Sequence, residues 1–288
     1  MRAEALGFGS VWVADPPAQR AARALSPAQG AGFDPIVVLG ALGRLTTTVR
    51  LGMTMWISRR PASVAAKALA TVDVLTGGRL TVALGAGPDD ESDETLARLD
   101  EALHVIKGMF GGGPFSFDGR YERVTDARCR PRPVQRPHPP LWAGGMGDDR
   151  LLEIVARHAD GWNTVWTGTA DGWRRRVAVL DAACERIGRD PGSVTRSVGL
   201  HALVGEDEAD LGRRFERLRR LSSPGALDGV DLAAWRHGGL VGTVEQAREQ
   251  LEEWQSLGAS GLVLAAGAVL SAPTSGGDVE LLASACRI

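Results

Sequence analysis

The stretch Ala70-Thr71-Val72-Asp73-Val74-Leu75-Thr76-Gly77-Gly78-Arg79-Leu80-Thr81-Val82-Ala83-Leu84-Gly85-Ala86-Gly87 decides the fold class. Its first part completes a helically spaced segment, 62–75, and Gly77-Gly78 stops that helix. Residues 80–84 then form a short buried strand, and the small residues Gly85-Ala86-Gly87 end it. A helix, a glycine turn, an apolar strand and a glycine-rich strand end make one repeating unit. The same alternation runs in both directions along the chain. Upstream, strands are expected at 10–14 and 49–54, with a helix at 35–45 between them. Downstream, strands are expected at 141–143, 162–166, 197–204 and 261–265. Helices at 96–109, 149–158, 173–187, 208–221 and 243–258 separate them. Thr243 with Gln246 three residues on reads as a capping box at the start of the last helix.

Seven strands that read as apolar and non-alternating imply a parallel sheet covered by helices. A doubly wound sheet could hold them. So could a TIM-type (β/α)8 barrel lacking its first strand, because the chain opens on a helix, 2–6, with no strand before it. The barrel is the expected architecture, as a single domain over 1–288. It carries irregular inserts at about 111–140 and 222–239, which are rich in glycine and proline or polar residues. The edge beside residues 10–14 is expected to be unpaired or filled by another chain.

Composition narrows function by exclusion. Lys+Arg 33 against Asp+Glu 35 gives a net charge of -2, so a nucleic-acid partner is not expected. No apolar run reaches the roughly 18 residues of a membrane span. Glu4 stands where a signal peptide needs apolar residues, so none is expected, and Cys129, Cys184 and Cys286 have no metal-type spacing. A cytoplasmic protein without a metal site is expected. Lys67 and Lys107 are the only lysines, and both fall in helices, so Schiff-base chemistry is disfavoured. His104 and His158 fall in helices, His138 in a proline-rich loop and His201 mid-strand, all read as core or surface positions. There is no G-x-S-x-G elbow and no dinucleotide fingerprint. With so few reactive side chains, a bound cofactor would carry the chemistry.

In a barrel the site lies at the C-terminal strand ends. Two of those ends carry small residues, Gly85-Ala86-Gly87 and Ala143-Gly144-Gly145-Met146-Gly147, which permit close backbone approach to a ligand or simply serve tight turns. Tryptophans lie on or just past strands, among them Trp12, Trp56, Trp142, Trp162 and Trp166. They suit the wall of a pocket for a planar ligand, or ordinary packing.

These residues form a series that resembles the bacterial luciferase-like monooxygenase superfamily. The blocks are Ala5-Leu6-Gly7-Phe8-Gly9-Ser10-Val11-Trp12-Val13, Thr46-Thr47-Thr48-Val49-Arg50-Leu51-Gly52, Arg60-Pro61-Ala62 and the opening stretch above. Arg132-Pro133-Val134-Gln135, Pro139-Pro140-Leu141-Trp142-Ala143-Gly144-Gly145, Ala159-Asp160-Gly161-Trp162-Asn163 and Val241-Gly242-Thr243 continue the series in order. The resemblance implies a flavin-type oxidoreductase or monooxygenase acting on a small organic substrate. Its cofactor would be the deazaflavin F420, with FMN as the alternative. A homodimer is expected.

Site roles follow from the resemblance residue by residue. Asp15 matches an acidic catalytic position near the cofactor ring, although Pro16 stands where relatives often have histidine. Thr54 and Met55 match a strand-end bulge, often with a non-proline cis bond, that backs the ring. Gly85, Ala86 and Gly87 match the loop beside it, with Pro88 where some relatives have glutamate. Ala143, Gly144, Gly145, Met146 and Gly147 match the turn that holds the phosphate. Arg59–Arg60 and the 128–136 loop are candidate helpers, against the repulsion of Asp148 and Asp149. Trp12, Trp56 and Trp162 are candidate substrate-binding residues. The alternatives are a non-catalytic flavin-binding barrel and an unrelated barrel enzyme acting on a phosphorylated metabolite.

Overall fold

Thr76 ends the helix Ala62–Leu75 (α3 below), its N–H donating to Val72 O, and the chain reverses through Gly77 and Gly78 at φ 65° and 82°. A side chain would be strained at either φ, so the glycine pair sets this turn. The strand Leu80–Gly85 follows with every residue buried. A computed structural model supplies the structure, which describes residues 2–15, 33–57, 60–87, 92–145, 148–164, 169–222, 227–266 and 276–286.

Chain order is α1 (Arg2–Ala5), β1 (Ser10–Ala14), α2 (Pro35–Leu45), β2 (Arg50–Trp56), α3 (Ala62–Leu75), β3 (Leu80–Gly85) and α4 (Asp93–Phe110). A hairpin of β4 (Phe115–Asp118) and β5 (Arg123–Ala127) follows. Then come β6 (Leu141–Gly144), α5 (Asp149–His158), β7 (Gly161–Thr164), α6 (Ala170–Arg186), β8 (Thr195–Gly205), α7 (Glu208–Leu221) and α8 (Leu232–Arg236). The chain closes with β9 (Leu240–Thr243), α9 (Val244–Ser256), β10 (Gly261–Ala266) and α10 (Gly276–Cys286).

The strands pair in parallel in the order β1-β2-β3-β6-β7-β8-β10, with helices outside, and form a nearly closed barrel. Ala202 of β8 pairs with Ala266 of β10 and with Leu240 of the short β9, so β9 lies on the β7 side of β8. Four features differ from the sequence reading. The segment 111–140 holds an antiparallel hairpin, and 222–239 holds α8. β9 and α10 were not anticipated either. The hairpin is short and lies outside the parallel sheet, so it leaves the barrel plan intact.

Among the described residues, β1 pairs only with β2 and β10 only with β8. Both end strands are half-exposed, and they face each other across a cavity of about 500 Å³ lined by Phe8, Val11, Trp12, Leu262, Leu264 and Leu282. This open seam is the unpaired edge expected beside β1. Unpaired strand edges present free N–H and C=O groups.

Alternation along β2 separates two faces. Leu51, Met53 and Met55 are buried in the core, while Arg50, Thr54 and Trp56 are partly exposed. Trp12 on β1 and Trp142 on β6 have ring centroids 5.4 Å apart although β2 and β3 lie between their strands. They can meet only across the lumen, which fixes the inward face. Three lumen tryptophans each lie over a glycine directly opposite on the next strand: Trp12 over Gly52, Trp56 over Gly85 and Trp142 over Gly161. A Cβ on these glycines would come within 2.1, 2.5 and 2.5 Å of the ring atoms. The glycines are there to admit indoles into a packed lumen.

The N-terminal face is held by polar clamps. The Arg79 guanidinium donates to Thr76 O, Thr46 Oγ1, Val49 O, Gly43 O and Thr46 O. Asp73 is fully buried and accepts from Val134 N, Gln135 N and Gln135 Nε2. Glu4 accepts from the backbone N–H groups of Thr47, Thr48 and Val49 at 2.8, 2.6 and 3.0 Å, binding α1 to the start of β2. The donated bonds, Thr48 first, lower the Glu4 pKa to about 2. A depressed carboxylate pKa contributes stability above the unfolded value, about 4.5, and loses it as pH falls through about 2. Glu4→Gln is therefore expected to melt at a lower temperature than the parent at pH 7. The gap should narrow from pH 4.5 downward and close near pH 2, as followed by thermal melts monitored by circular dichroism.

Candidate functional site

The strand C-termini gather Asp15, Thr54, Trp56, Gly85, Gly144, Asn163 and Thr164 at one end of the barrel. Asp15 is buried, its N–H donates to Thr54 O and its Oδ2 accepts from Trp56 N at 2.9 Å. The carboxylate thus stitches the end of β1 to the end of β2. Thr54 faces the lumen. Met55 faces the other way and is 1% exposed within the core, so only its backbone is available to a ligand. The cis peptide bonds among the described residues are Arg130–Pro131 and Arg136–Pro137, so the anticipated cis bond at Thr54–Met55 is absent.

Gly85 is not an open cradle, because the Trp56 ring fills the space its side chain would take. Gly87 and Gly144 are open. A Cβ on Gly87 would touch nothing within 4 Å, and one on Gly144 would meet only Asn163 O at 3.8 Å. Gly145 N donates to Asn163 O, tying the turn after β6 to β7. Ala86 and Ala143 are buried in the core. Met146, Gly147, Pro16, Pro88, Arg59 and Trp166 lie outside the described residues.

The first turn of α5 is capped by its own Asp148, whose Oδ1 accepts from Arg150 N, while Arg150 pairs with Asp93. Asp148 therefore serves as the helix N-cap. The 128–136 loop, by contrast, cannot assist a ligand at this end. Gln135 donates to Leu80 O at the start of β3, so the loop belongs to the opposite face. Two of its arginines are spent on local carbonyls: Arg132 on Gly111 O, and Arg136 on Pro133 O, Val134 O and Gln135 O. Arg60 is at the correct end. Its Nη2 donates to Asp34 Oδ2 and its Nε is buried without a partner among the described residues.

Trp162 is also corrected. It is fully buried and stacks on Trp173 of α6 at 5.3 Å and 6°, in the helix layer rather than on the pocket wall. Trp142 takes the lumen place instead. Lys67 and Lys107 lie on α3 and α4, and Lys107 donates to His158 O, away from the strand C-termini. No group of three or more His, Cys, Asp or Glu able to hold a metal is found among the described residues.

Sequence reasoning missed a polar set on the inward face of β7 and β8. Ser197 Oγ donates to Asn163 Oδ1 at 2.8 Å, and Asn163 Nδ2 donates to Thr164 O. Two steps along the same face from Ser197 lies His201, 7% exposed. The alternation of Ser197, Gly199 and His201 with Val198, Leu200 and Ala202 was the available signal. At the end of β2, the lumen-facing Trp56 Nε1 is buried without a partner among the described residues; so is Thr164 Oγ1 at the end of β7, but it shares the outward face of Trp162. Unpaired buried donors of this kind call for a ligand or ordered water. Flat indoles on the lumen wall, open glycines at two strand ends and the unspent Trp56 Nε1 suit a planar heteroaromatic ring.

This barrel matches the luciferase-like monooxygenase family model over residues 1–261, and the chain belongs to that family. The family includes both F420-dependent and FMN-dependent oxidoreductases. The chain is 28% identical over 222 residues to the F420-dependent hydroxymycolic acid dehydrogenase of Mycobacterium tuberculosis, covering 72% of this chain and 58% of that protein. It is 30% identical over 153 residues to the FMNH(2)-dependent dimethylsulfone monooxygenase of Pseudomonas putida, covering 49% and 40%. A monooxygenase from Streptomyces bottropensis superposes with a TM-score of 0.80 at 22% identity, covering 99% of this chain and 89% of that one. The chain thus spans about 58% of the length of the M. tuberculosis relative. No helix among the described residues is long and apolar enough to cross a membrane.

Proposed function

We propose that this chain is an oxidoreductase that binds the deazaflavin F420 at the C-terminal end of its lumen and acts on a small organic substrate. The observation that carries the reading is the buried, unpartnered indole donor Trp56 Nε1, on the lumen face of the β2 end and close to the open glycines Gly87 and Gly144. Thr54 and Trp56 would bound the ring on the β2 side, and Gly87, Gly144 and Gly145 would admit it closely. Arg60, whose Nη2 pairs with Asp34, still has an unpartnered Nε among the described residues to offer an anionic side chain of the cofactor, since α5 already spends its N-cap on Asp148. When bound, a deazaflavin supplies a two-electron hydride acceptor or donor.

The protein's own share is placement. Asp15 fixes the relative position of the β1 and β2 ends through Trp56 N, and so holds the indole of Trp56 over Gly85. Trp12 and Trp142 pack against each other across the lumen beneath the site. Low-dielectric surroundings of this kind strengthen each polar contact to a bound ring. FMN is the competing cofactor. Two assays separate them: bleaching of oxidised F420 absorbance with a panel of secondary alcohols, and oxygen uptake with photoreduced FMN. Alcohol-dependent bleaching without oxygen uptake is the expected result, and the reverse pattern would refute the F420 assignment.

A further inference from the structure

His201 is the one imidazole that β8 turns into the lumen among the described residues. Its face is fixed by neighbours: Trp142 covers Gly161 in the lumen, Asn163 shares the Gly161 face, and Ser197 bonds to Asn163. β8 pairs with β10 in unbroken register from Ser197 to Ala202, so His201 keeps the face of Ser197. Its partner there is Ala265, one residue from the C-terminal end of β10. The imidazole therefore stands at the same end of the barrel as the site described above.

Its protonation state follows from its contacts. Nε2 lies 2.9 Å from Trp235 O, and a carbonyl oxygen can only accept. Nε2 must carry the proton. The ring is also pressed against the Trp235 indole, with centroids 4.1 Å apart, and a Cβ on Gly239 would collide with Nε2 at 2.1 Å. The contact is thus made by the 222–239 segment, which packs through Leu227 and Trp235 onto Leu203, Leu211 and Phe215. Burial pushes the His201 pKa below the ordinary imidazole value, partly offset by the bond to Trp235. A neutral ring with Nε2–H leaves a lone pair on Nδ1. Nδ1 is not among the buried atoms that lack a partner, and no bond to it is formed among the described residues. It is an accessible base with nothing yet to accept from.

We propose that His201 Nδ1 receives the hydroxyl proton of an alcohol substrate, making the chain an alcohol-oxidising enzyme and His201 a catalytic residue. This rests on the hydride-transfer reading given above. In the step, the carbinol C–H bond breaks and its electron pair leaves with the hydrogen as hydride to a bound deazaflavin-class oxidant. The O–H bond breaks, its proton bonds to Nδ1, and the C=O bond forms. The charge on the imidazolium is balanced by the electron pair gained by the oxidant. The Trp235 carbonyl holds the ring in the tautomer this requires and faces the Nε2–H that gains positive character. A neutral Nδ1 only accepts, so a ketone, which has no proton to give, makes no hydrogen bond there, whereas a hydroxyl donates to it.

The test uses the 15N-histidine-labelled protein, with His201→Gln assigning the His201 signals among the five histidines. At neutral pH the Nε2–H tautomer is expected, with a free Nδ1. Adding 2-propanol should shift the Nδ1 resonance, and adding acetone should not. A charged ring, the Nδ1–H tautomer or an Nδ1 signal indifferent to the alcohol would overturn the proposal whether or not any cofactor binds. In the F420-loaded protein, His201→Gln should cut alcohol-dependent bleaching by at least ~100-fold, the scale of general-base catalysis, with F420 affinity within twofold of the parent. Unchanged turnover in that variant would equally overturn it. Failure of the parent to bind F420 would sink the cofactor reading alone, leaving the tautomer and alcohol-shift results to decide the role of Nδ1.

Discussion

Replacing Asp73 by alanine should destabilise the protein by about 3–5 kcal/mol, because it removes the shared acceptor of three part-buried donors at once and empties a fully buried site. The side chain is fully buried and accepts from Val134 N, Gln135 N and Gln135 Nε2 at 2.7, 3.0 and 2.7 Å. Those bonds hold the 128–136 loop against the helix α3 and the start of β3. For a chain of this size that loss lowers the melting temperature by roughly 10 °C or more. Asp73→Asn keeps one carbonyl acceptor and should lose less. Calorimetry of both variants checks the order. Asp73 serves the N-terminal face, so F420 affinity measured well below the melting transition should stay within twofold of the parent in either variant.

Gly145→Val is expected to do the opposite: weaken the cofactor and spare the fold. Gly145 follows the inward-facing Gly144 and keeps its N–H bonded to Asn163 O at 3.2 Å. A branched side chain there stands where the backbone must approach a ring or its linker. F420 affinity should fall by at least ~10-fold, equivalent to about 1.4 kcal/mol, while the melting temperature of the cofactor-free protein moves little. Loss of stability with unchanged affinity would make the glycine run a turn and nothing more.

The pair of variants mirrors what was legible in the sequence. The blocks that carried the resemblance are largely the polar clamps of the N-terminal face: Glu4 on 47–49, Arg79 on Thr46 and Val49, and Asp73 on Gln135. These residues specify how helices join strands, so they reveal the fold and say little about chemistry. In barrels the N-terminal face reads as stability and the C-terminal face as function. The glycines illustrate the limit. Gly85 and Gly144 both read as ligand cradles, yet only packing shows that a tryptophan fills one and leaves the other open. Trp162 and Trp142 were equally plausible pocket walls, and a one-residue difference in strand phase sends one to the helix layer and the other to the lumen. The cis bond anticipated at Thr54–Met55 came from the resemblance alone and is absent. His201 was passed over as mid-strand because β8 runs eleven residues, long enough for a mid-strand position to be level with the end of β10.

The account depends most directly on occupancy of the C-terminal lumen. Equilibrium titration of the purified protein with oxidised F420, followed by its fluorescence, and with FMN in parallel, measures that. The account predicts saturable one-site binding of F420, at least ~10-fold tighter than FMN, with quenching of tryptophan emission as Trp56 meets the ring. Absence of binding by F420, or tighter binding of FMN, would contradict it.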